Sequence, residues 1–327
     1  MRPRSLSHLG VLTSGGDSPG MNAAVRAVVR AIAHHGLRSS SIQRGFDGCI
    51  KGSIAPMGPR DVSNIISRGG TILGSARSEE FRTAEGRTIA AKQLRDQGID
   101  GLVVIGGDGT FTGAHILEQE HGIPCIGLPG TIDNDLVGTD RTIGFDTAIH
   151  TAVDAIDKIR DTASSHDRLF FVEVMGRDTG YIAMQCALAC GAEYVMIPEV
   201  VQSVDQLLDA LSAGAGKKSS NIVIVAEGDE EGGAFVIADK VRDRTSSYDI
   251  RVSVLGHIQR GGSPTANDRI LASRTGVAAV EAMLKGQSSC MVGLVNDEIA
   301  ITPFKQAIAG VKTIQPDLMR VLAILSI

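Results

Sequence analysis

Glycine-rich turns that carry an acidic residue recur in this sequence, and turns of this kind could hold phosphate groups and a divalent cation. The densest is Gly106-Gly107-Asp108-Gly109-Thr110. Its small residues would let backbone N–H groups reach phosphate oxygens, and a helix that follows would offer its N-terminus. The Asp108 carboxylate is an oxygen ligand of the kind that Mg²⁺ prefers. The segment predicts nucleotide binding and leaves the substrate open.

Charged residues also stand where other short apolar segments end. They are Asp17, Asp133, Arg177, Glu227, His257 and Arg260. For a single turn, a glycine–aspartate pair is as well explained by turn conformation alone. Ligands of open α/β sheets bind outside the carboxyl ends of the strands, so the repetition of charge at these ends predicts a site with both signs of charge.

The commonest phosphate-binding fingerprints do not fit this chain. In a Walker loop Gly216-Lys217 would be followed by Ser or Thr, but Lys218 stands there. The stretch from Gly107 to Gly113 has one residue too many for the Rossmann pattern. These mismatches exclude the two fingerprints and leave phosphate binding open.

Short apolar segments alternate with segments of helical pattern, which predicts an α/β fold. The predicted strands are 8–14, 102–105, 125–128, 169–175, 222–226 and 252–255. The predicted helices include 21–35, 63–67, 86–97, 146–162 and 266–284. Because the strands are apolar without alternation, we expect mostly parallel sheets that helices cover on both faces.

Composition narrows the class of protein further. The 327 residues include 39 glycines and no tryptophan, with 43% hydrophobic residues and a net charge of −5. This balance predicts a globular protein and argues against a nucleic-acid partner held by net charge. The five cysteines form no CxxC pair, which predicts buried thiols in a reducing compartment. No apolar run approaches the roughly 18 residues of a membrane span, so we expect a cytoplasmic protein without membrane contact.

Longer motifs carry a specific family resemblance. They are GVLTSGGDSPGMN at 10–22, GGTILGSAR at 69–77, GGDGT at 106–110, PGTIDND at 129–135, VMGR at 174–177 and LGHIQRGGSP at 255–264. In this order the chain resembles the bacterial ATP-dependent 6-phosphofructokinases. The resemblance implies two lobes, each a mostly parallel sheet flanked by helices: 1–144 plus 258–308 for ATP, and 145–257 plus 309–327 for fructose 6-phosphate. It also implies a homotetramer with shared active sites.

The resemblance assigns the catalytic roles. Asp133 matches the family's base, which accepts the proton of the sugar 1-hydroxyl, and a carboxylate is ionised at neutral pH. Thr131 and Asp135 would orient the reacting end. Arg77 and Arg177 would face the transferring phosphoryl group, where negative charge spreads over the oxygens.

The resemblance also implies two binding sets. The ATP set is Gly16, Arg77, Ser78, Gly107, Asp108, Gly109 and Thr110, with Mg²⁺ at Asp108. The sugar-phosphate set is Thr131, Ile132, Asp133, Asp135, Arg168, Met175, Gly176, Arg177, Glu227, Arg251, His257 and Arg260. Arg168 and Arg251 are expected to reach the 6-phosphate from a neighbouring subunit, although each alone would be interpreted as a surface arginine.

The phosphoryl donor is a separate question, because relatives use either ATP or pyrophosphate. The pyrophosphate enzymes typically carry aspartate and lysine where this chain has Gly109 and Gly130. Glycine leaves room for the α-phosphate of a nucleotide, so we expect ATP. Two alternatives remain: a pyrophosphate-dependent phosphofructokinase, and a non-catalytic sugar-phosphate sensor, against which Asp108, Asp133 and Arg177 argue.

The resemblance predicts an effector site for a nucleotide or phosphoenolpyruvate. Its residues would be Arg26, Arg30, Arg160, Gly191, Glu193, Lys217 and Lys218. Arg26 and Arg30 lie four residues apart on a predicted helix and therefore on one face. The family's further arginine is absent at Pro59. Ser78 stands where a phenylalanine often packs, which predicts looser base discrimination, and Asp146 has no sequence-based explanation.

Overall fold

The computed structural model describes residues 6–163, 168–214 and 221–326, apart from the side chains of 213 and 214. The chain divides into two compact units. Unit 1 comprises Met1–Ile132, Leu136–Thr147 and Arg260–Val311, and unit 2 comprises Asp133–Asp135, Ala148–Gln259 and Lys312–Ile327. The lobe boundaries expected from the sequence stay a prediction.

Strands and helices alternate along the chain. The strands are β1 (His8–Thr13), β2 (Arg38–Ile42), β3 (Ile54–Pro56), β4 (Gly101–Gly106), β5 (Cys125–Thr131), β6 (Ile143–Gly144), β7 (Arg168–Val174), β8 (Tyr194–Met196), β9 (Asn221–Ala226), β10 (Asp249–Val254), β11 (Cys290–Val295) and β12 (Glu298–Pro303). The helices are α1 (Met21–His34), α2 (Gly45–Lys51), α3 (Ala84–Asp96), α4 (Asp108–His121), α5 (Phe145–Ala163), α6 (Tyr181–Cys190), α7 (Val204–Gly214), α8 (Ala234–Arg242), α9 (Ala266–Leu284), α10 (Phe304–Ala309) and α11 (Pro316–Leu325).

The sheet of unit 1 runs in the order β12-β11-β5-β4-β1-β2-β3, with β6 paired to β5. All pairings are parallel except β2–β3 and β11–β12, at the two edges. Both faces of β4 are buried, because Val103 and Ile105 belong to one hydrophobic cluster and Leu102 and Val104 to another. This two-sided burial is the reason for its apolar run without alternation.

Helices cover each face of this sheet. Residues of α1 and α9 share the first cluster, and residues of α2, α3 and α4 share the second. Two of these helices begin at side-chain caps: the Thr83 hydroxyl accepts from Gly86 N at 3.0 Å, and the Thr265 hydroxyl accepts from Asp268 N at 3.3 Å. Such caps satisfy amides that have no partner within the helix, so they determine where the chain turns helical.

Unit 2 has a smaller sheet in the order β10-β7-β9-β8, and all of its pairings are parallel. Leu169, Phe171, Val223 and Val225 point to one face and form a hydrophobic cluster with residues of α7 and α8. Helix α6 contacts β9 and β7. The predicted fold class, mostly parallel sheets flanked by helices, is confirmed.

One predicted helix was wrong. Residues 63–67 form turns, in which Asn64 adopts a left-handed φ of 58° that an α-helix cannot contain. Ile65 of this segment is buried in the core of unit 1, and Ile66 packs against that core. Their burial reflects an anchored loop, and a segment this short makes too few hydrogen bonds to nucleate a helix alone.

All five cysteines are free thiols, and all except Cys190 are buried, as the composition predicts. Burial raises the pKa of the Cys49 thiol to about 12, so it stays protonated at neutral pH. Within the part of the chain that the structure describes, no helix is both long enough and apolar enough to cross a membrane.

Candidate active site

The carboxyl ends of three neighbouring strands of unit 1 gather the predicted nucleotide residues. Strand β4 lies between β1 and β5, and the backbone N–H of Ser14 after β1 donates to Ile105 O of β4 at 3.0 Å. A Cβ atom placed on Gly15 would lie 3.6 Å from the Thr110 hydroxyl, and one on Gly107 would lie 3.6 Å from Cβ of Thr131. The turns that follow β1, β4 and β5 therefore form one surface.

The turn between β4 and α4 leads directly into the first turn of the helix. Gly107 precedes the helix and its carbonyl accepts from the N–H groups of Thr110 and Phe111, each at 3.1 Å. Gly106 must be glycine, because a Cβ atom there would lie 2.5 Å from Ser14 O. Asp108 is the first residue of α4 and is half-buried. This arrangement can bind a phosphate group at the helix N-terminus.

Gly109 and Gly130 differ in their surroundings. A Cβ atom on Gly109 has no other atom within 4 Å, so this position faces open space. One on Gly130 would lie 2.9 Å from Ile105 Cγ2 and 3.2 Å from Met21 Cε. Packing inside unit 1 is therefore sufficient to explain Gly130, whereas no such packing explains Gly109.

A loop that carries Arg77 and Ser78 crosses the end of β1. The Thr13 hydroxyl donates to Gly74 O at 2.8 Å, which ties this loop to the strand. The Ser78 hydroxyl accepts from Phe81 N at 3.3 Å, and Arg77 is exposed. The guanidinium of Arg77 is thus free to turn toward a ligand on the surface of unit 1.

Arg260 lies beside the glycine turn after β1. Its Nη1 donates to Asp17 O at 3.3 Å, and a Cβ atom on Gly16 would lie 2.8 Å from the same nitrogen. The structure therefore places Arg260, predicted for the sugar phosphate, next to Gly16, predicted for the nucleotide. Ile132, another residue predicted for the sugar, is fully buried and presents no side chain to a ligand.

In unit 2 the ends of β7 and β9 meet at the Glu227 carboxylate. Its Oε1 accepts from the backbone N–H groups of Arg177 at 2.7 Å and Gly176 at 3.2 Å. Arg177 has a left-handed φ of 56°, and its side chain is exposed. The backbone N–H of Met175 donates to Oε1 of Gln259 at 2.9 Å. These bonds position the turn that presents Arg177.

The segment with the predicted base belongs to unit 2 and is held from the same turn. The Thr179 hydroxyl donates to Asp133 O at 2.9 Å and to Gly176 O at 3.0 Å. Asp133 is 7% exposed and Asn134 3%. A carboxylate fixed by its own backbone in this way can accept a proton at a defined position.

Arg168 is the first residue of β7 and Arg251 the third of β10, and both side chains reach Asp249 at the opposite, amino-terminal end of the sheet of unit 2. Both contact the same carboxylate oxygen of Asp249, Arg168 Nε at 3.0 Å and Arg251 Nη2 at 3.1 Å. From Arg168 to the last residue of β7, Val174, the strand is about 20 Å long at roughly 3.3 Å per residue. The two arginines therefore do not share a site with Arg177, Glu227 and His257 of the same chain.

The comparisons with known proteins decide the family. The sequence profile described as phosphofructokinase matches residues 8–283. This chain belongs to the phosphofructokinase family. The resemblance in the sequence motifs is confirmed.

Individual phosphofructokinases are similar over nearly the whole chain. It is 56% identical over 320 residues to "ATP-dependent 6-phosphofructokinase 2" of Bacteroides thetaiotaomicron, which covers 98% of both chains. It is also 56% identical to "ATP-dependent 6-phosphofructokinase 1" of Thermus thermophilus, over 98% of this chain and 100% of that one. The solved phosphofructokinase of Saccharomyces cerevisiae matches with a TM-score of 0.88 and 39% identity over 92% of this chain. The chain spans 45% of that longer yeast chain.

Among the effector residues expected from the phosphofructokinase resemblance, the structure brings Arg160 and Gly191 into contact. Arg160 Nη2 donates to Cys190 O at 2.6 Å and Gly191 O at 3.1 Å, and Glu193 Oε2 accepts from Ile222 N at 2.5 Å, all in unit 2. Arg26 and Arg30 lie on α1 of unit 1, Arg30 exposed and Arg26 half-buried. Lys217 and Lys218 lie outside the described residues.

Three residues have local roles that the sequence did not reveal. Thr179 and Gln259 support the backbone of Asp133 and Met175. Gln259 lies inside the motif at 255–264 and Thr179 two residues after the motif at 174–177, which is the signal that could have found them. Asp146 accepts from the Thr265 hydroxyl at 2.7 Å and pairs with Arg141 at 3.3 Å. It therefore joins the first turn of α5 to the start of α9.

Proposed function

We propose that this phosphofructokinase transfers the γ-phosphoryl group of ATP to the 1-hydroxyl of fructose 6-phosphate in glycolysis, which yields fructose 1,6-bisphosphate and ADP. The observation that carries the proposal is the 56% identity, over 98% of the chain, to relatives named ATP-dependent 6-phosphofructokinase. The joined glycine turns of unit 1 support it, because they offer backbone N–H groups to a nucleotide.

The reaction needs a base, charge neutralisation and orientation. The sugar 1-hydroxyl oxygen attacks the γ-phosphorus, its proton passes to the Asp133 carboxylate, and the bond to the β-phosphate oxygen breaks with ADP as leaving group. Thr131 and Asp135 orient the reacting groups. Arg77 and Arg177, both exposed, neutralise the charge that spreads over the phosphoryl oxygens. Glu227 accepts from a sugar hydroxyl through the carboxylate that already orders the Arg177 turn.

Mg²⁺ would be held by Asp108. Among the residues that the structure describes, no group of three or more histidine, cysteine or acidic side chains could hold a metal ion. The single carboxylate of Asp108 fits Mg²⁺, which usually keeps several waters and binds through one or two carboxylates plus substrate phosphates. When bound, the ion neutralises phosphate charge.

ATP rather than pyrophosphate is the proposed donor. Open space at Gly109 supports this choice, because an aspartate there would place a carboxylate where nucleotide phosphates approach α4. Gly130 supports it less, since packing against Ile105 already requires a small residue there.

The proposed assembly is a cytoplasmic homotetramer with shared sites. Its support is the position of Arg168 and Arg251, at the end of the unit 2 sheet remote from Arg177 and His257. If the substrate contacts Arg177 and His257 of one chain while its 6-phosphate binds Arg168 and Arg251, the latter two arginines must come from a second copy of the chain. An effector phosphate at Arg26, Arg30 and Arg160 is proposed on the family resemblance.

Steady-state assays with fructose 6-phosphate and equal concentrations of ATP or pyrophosphate test the function. We expect turnover with ATP and Mg²⁺, and little with pyrophosphate. Faster turnover with pyrophosphate would establish the alternative donor. No turnover with either donor, while fructose 6-phosphate still binds in calorimetry, would establish a sensor. Repeating the assay with ADP, GDP and phosphoenolpyruvate identifies the effector.

A further inference from the structure

Lys312 lies in the C-terminal segment, outside every motif of the sequence, yet it contacts the segment that carries the predicted base. Its Nζ donates to Oδ1 of Asn134 at 2.9 Å. The same ammonium lies 5.3 Å from the ring centroid of Tyr181, within the range of a cation–π contact. All three residues belong to unit 2.

Asn134 directly follows the predicted base Asp133 and adopts an uncommon backbone conformation. It stands between Asp133 and Asp135 and has a left-handed φ of 54°. Asparagine tolerates this region better than most residues, although it still requires support from its surroundings. Asn134 is 3% exposed and Lys312 is half-buried, so their hydrogen bond is partly shielded from water, and the charge on the ammonium strengthens it.

Two contacts therefore fix the two sides of the same peptide segment. Thr179 holds the carbonyl of Asp133 at 2.9 Å, and Lys312 holds the side chain of the next residue. Tyr181, below the ammonium, is the first residue of α6, against which α11 packs. The position of Lys312 is thus set by the docking of the C-terminal helix within unit 2.

We propose that Lys312 is a positioning residue for phosphoryl transfer, which holds Asn134 and thereby the backbone of Asp133 in the conformation that receives the proton. The inference rests on the proposed kinase function. Since Lys312 acts on the base and belongs to neither binding set, its loss slows the chemical step more than it weakens either substrate. A structural role alone would lower stability and leave turnover per folded molecule unchanged.

The experiment compares four variants with the wild-type chain. Lys312→Met removes the ammonium and keeps much of the apolar stem, Lys312→Gln keeps a neutral donor, and Lys312→Arg keeps a charged donor. Lys305→Met makes the same change at an exposed lysine of α10. We expect kcat of Lys312→Met to fall about tenfold, which corresponds to about 1.4 kcal/mol in the barrier. Both KM values should stay within about twofold, a pattern typical of a lost transition-state interaction.

The conservative variants separate positioning from general stability. Lys312→Arg should recover most of kcat, Lys312→Gln should be intermediate, and Lys305→Met should match the wild type. Amide hydrogen exchange at Asn134 and Asp135 should be faster in Lys312→Met than in Lys305→Met. If Lys312→Met does not fold, kcat of Lys312→Gln is compared with that of Lys312→Arg. A lower kcat in Lys312→Gln supports positioning by the charged donor.

Two outcomes would overturn the inference in an active wild-type enzyme: an unchanged kcat in both Lys312→Met and Lys312→Gln, or an equal loss in Lys312→Arg and Lys312→Met. Absence of kinase activity in the wild type contradicts the proposed function instead. Even then, unchanged exchange at Asn134 in Lys312→Met would refute the positioning contact.

Discussion

A methyl group on Gly16 would lie 2.8 Å from Nη1 of Arg260. Gly16, of the proposed nucleotide set, thus leaves room for Arg260, of the proposed sugar-phosphate set. The conflicting atom is the end of a flexible side chain, so the guanidinium can move away at little cost to the fold. If both assignments hold, the two binding functions are coupled through unit 1.

Gly16→Ala should raise the KM for fructose 6-phosphate as well as that for ATP. The expected rise is roughly tenfold, the effect of one displaced charge-assisted hydrogen bond. Stability should change by less than about 0.5 kcal/mol, measured by urea unfolding. In a double-mutant cycle with Arg260→Ala, the effect of Gly16→Ala on the sugar KM should largely vanish; full additivity would show that the two residues are not coupled.

Asp133→Ala should reduce kcat by roughly 10²–10⁴-fold, the usual loss when a general base is removed. Binding of ATP should change little, because the carboxylate acts on the sugar hydroxyl. Steady-state kinetics and nucleotide calorimetry provide the two measurements. Asp96→Ala, on the surface of α3, is the matched control. Near wild-type turnover of Asp133→Ala would refute its assignment as the base.

Arg251→Ala should raise the KM for fructose 6-phosphate at least about tenfold and leave that for ATP within about twofold. The lost pair with Asp249 is exposed, and such pairs contribute only about 0.2–1 kcal/mol, so the variant should fold. Arg320→Ala removes an equally exposed paired arginine of α11 and serves as control. Equal effects on both KM values would contradict a role at the 6-phosphate.

Gly109→Asp should raise the KM for ATP by at least about tenfold and spare that for fructose 6-phosphate. A Cβ atom on Gly109 has no atom of another element within 4 Å, and an acidic residue in the first turn of α4 is compatible with the helix dipole. Gly109→Ala adds only the methyl group and should bind ATP as the wild type does. An unchanged KM for ATP in Gly109→Asp would refute the donor argument.

Asp268→Asn should flatten the pH dependence of stability. Burial raises the pKa of Asp268 to about 6, against hydrogen bonds from Thr147 and Gly144 that lower it. The pKa of an aspartate in the unfolded chain is about 3.9, so the folded state binds the proton of the Asp268 carboxyl more tightly. Its contribution to the free energy of unfolding therefore falls as the pH rises from about 4 to about 6, by up to about 1.4 kcal/mol per pH unit.

Urea unfolding at several pH values across this range measures that slope in the wild type, Asp268→Asn and the surface control Asp96→Asn. The wild type and the control should share the slope that Asp268→Asn lacks. Equal slopes in all three would show that Asp268 titrates normally in the folded protein.

The sequence by itself determined the family, the α/β class and six of the twelve strands that the structure describes: β1, β4, β5, β7, β9 and β10. Strand β4 was predictable because both of its faces are buried, so its apolar run is uninterrupted. The turn at Gly106–Thr110 was predictable because its glycines and Asp108 are contiguous in the chain. The turn structure of 63–67 was not predictable, since an anchored loop also contains buried apolar residues such as Ile65.

Contacts between residues distant in the chain were decided only by the tertiary structure. The hydrogen bond from Lys312 to Asn134 joins positions 178 residues apart, and no local pattern encodes such a pairing. The same holds for Arg260 beside Gly16, and for Arg168 and Arg251 on one carboxylate at the far end of β7. Local preferences specify where elements begin and end, whereas the side chains that share a site depend on how those elements pack.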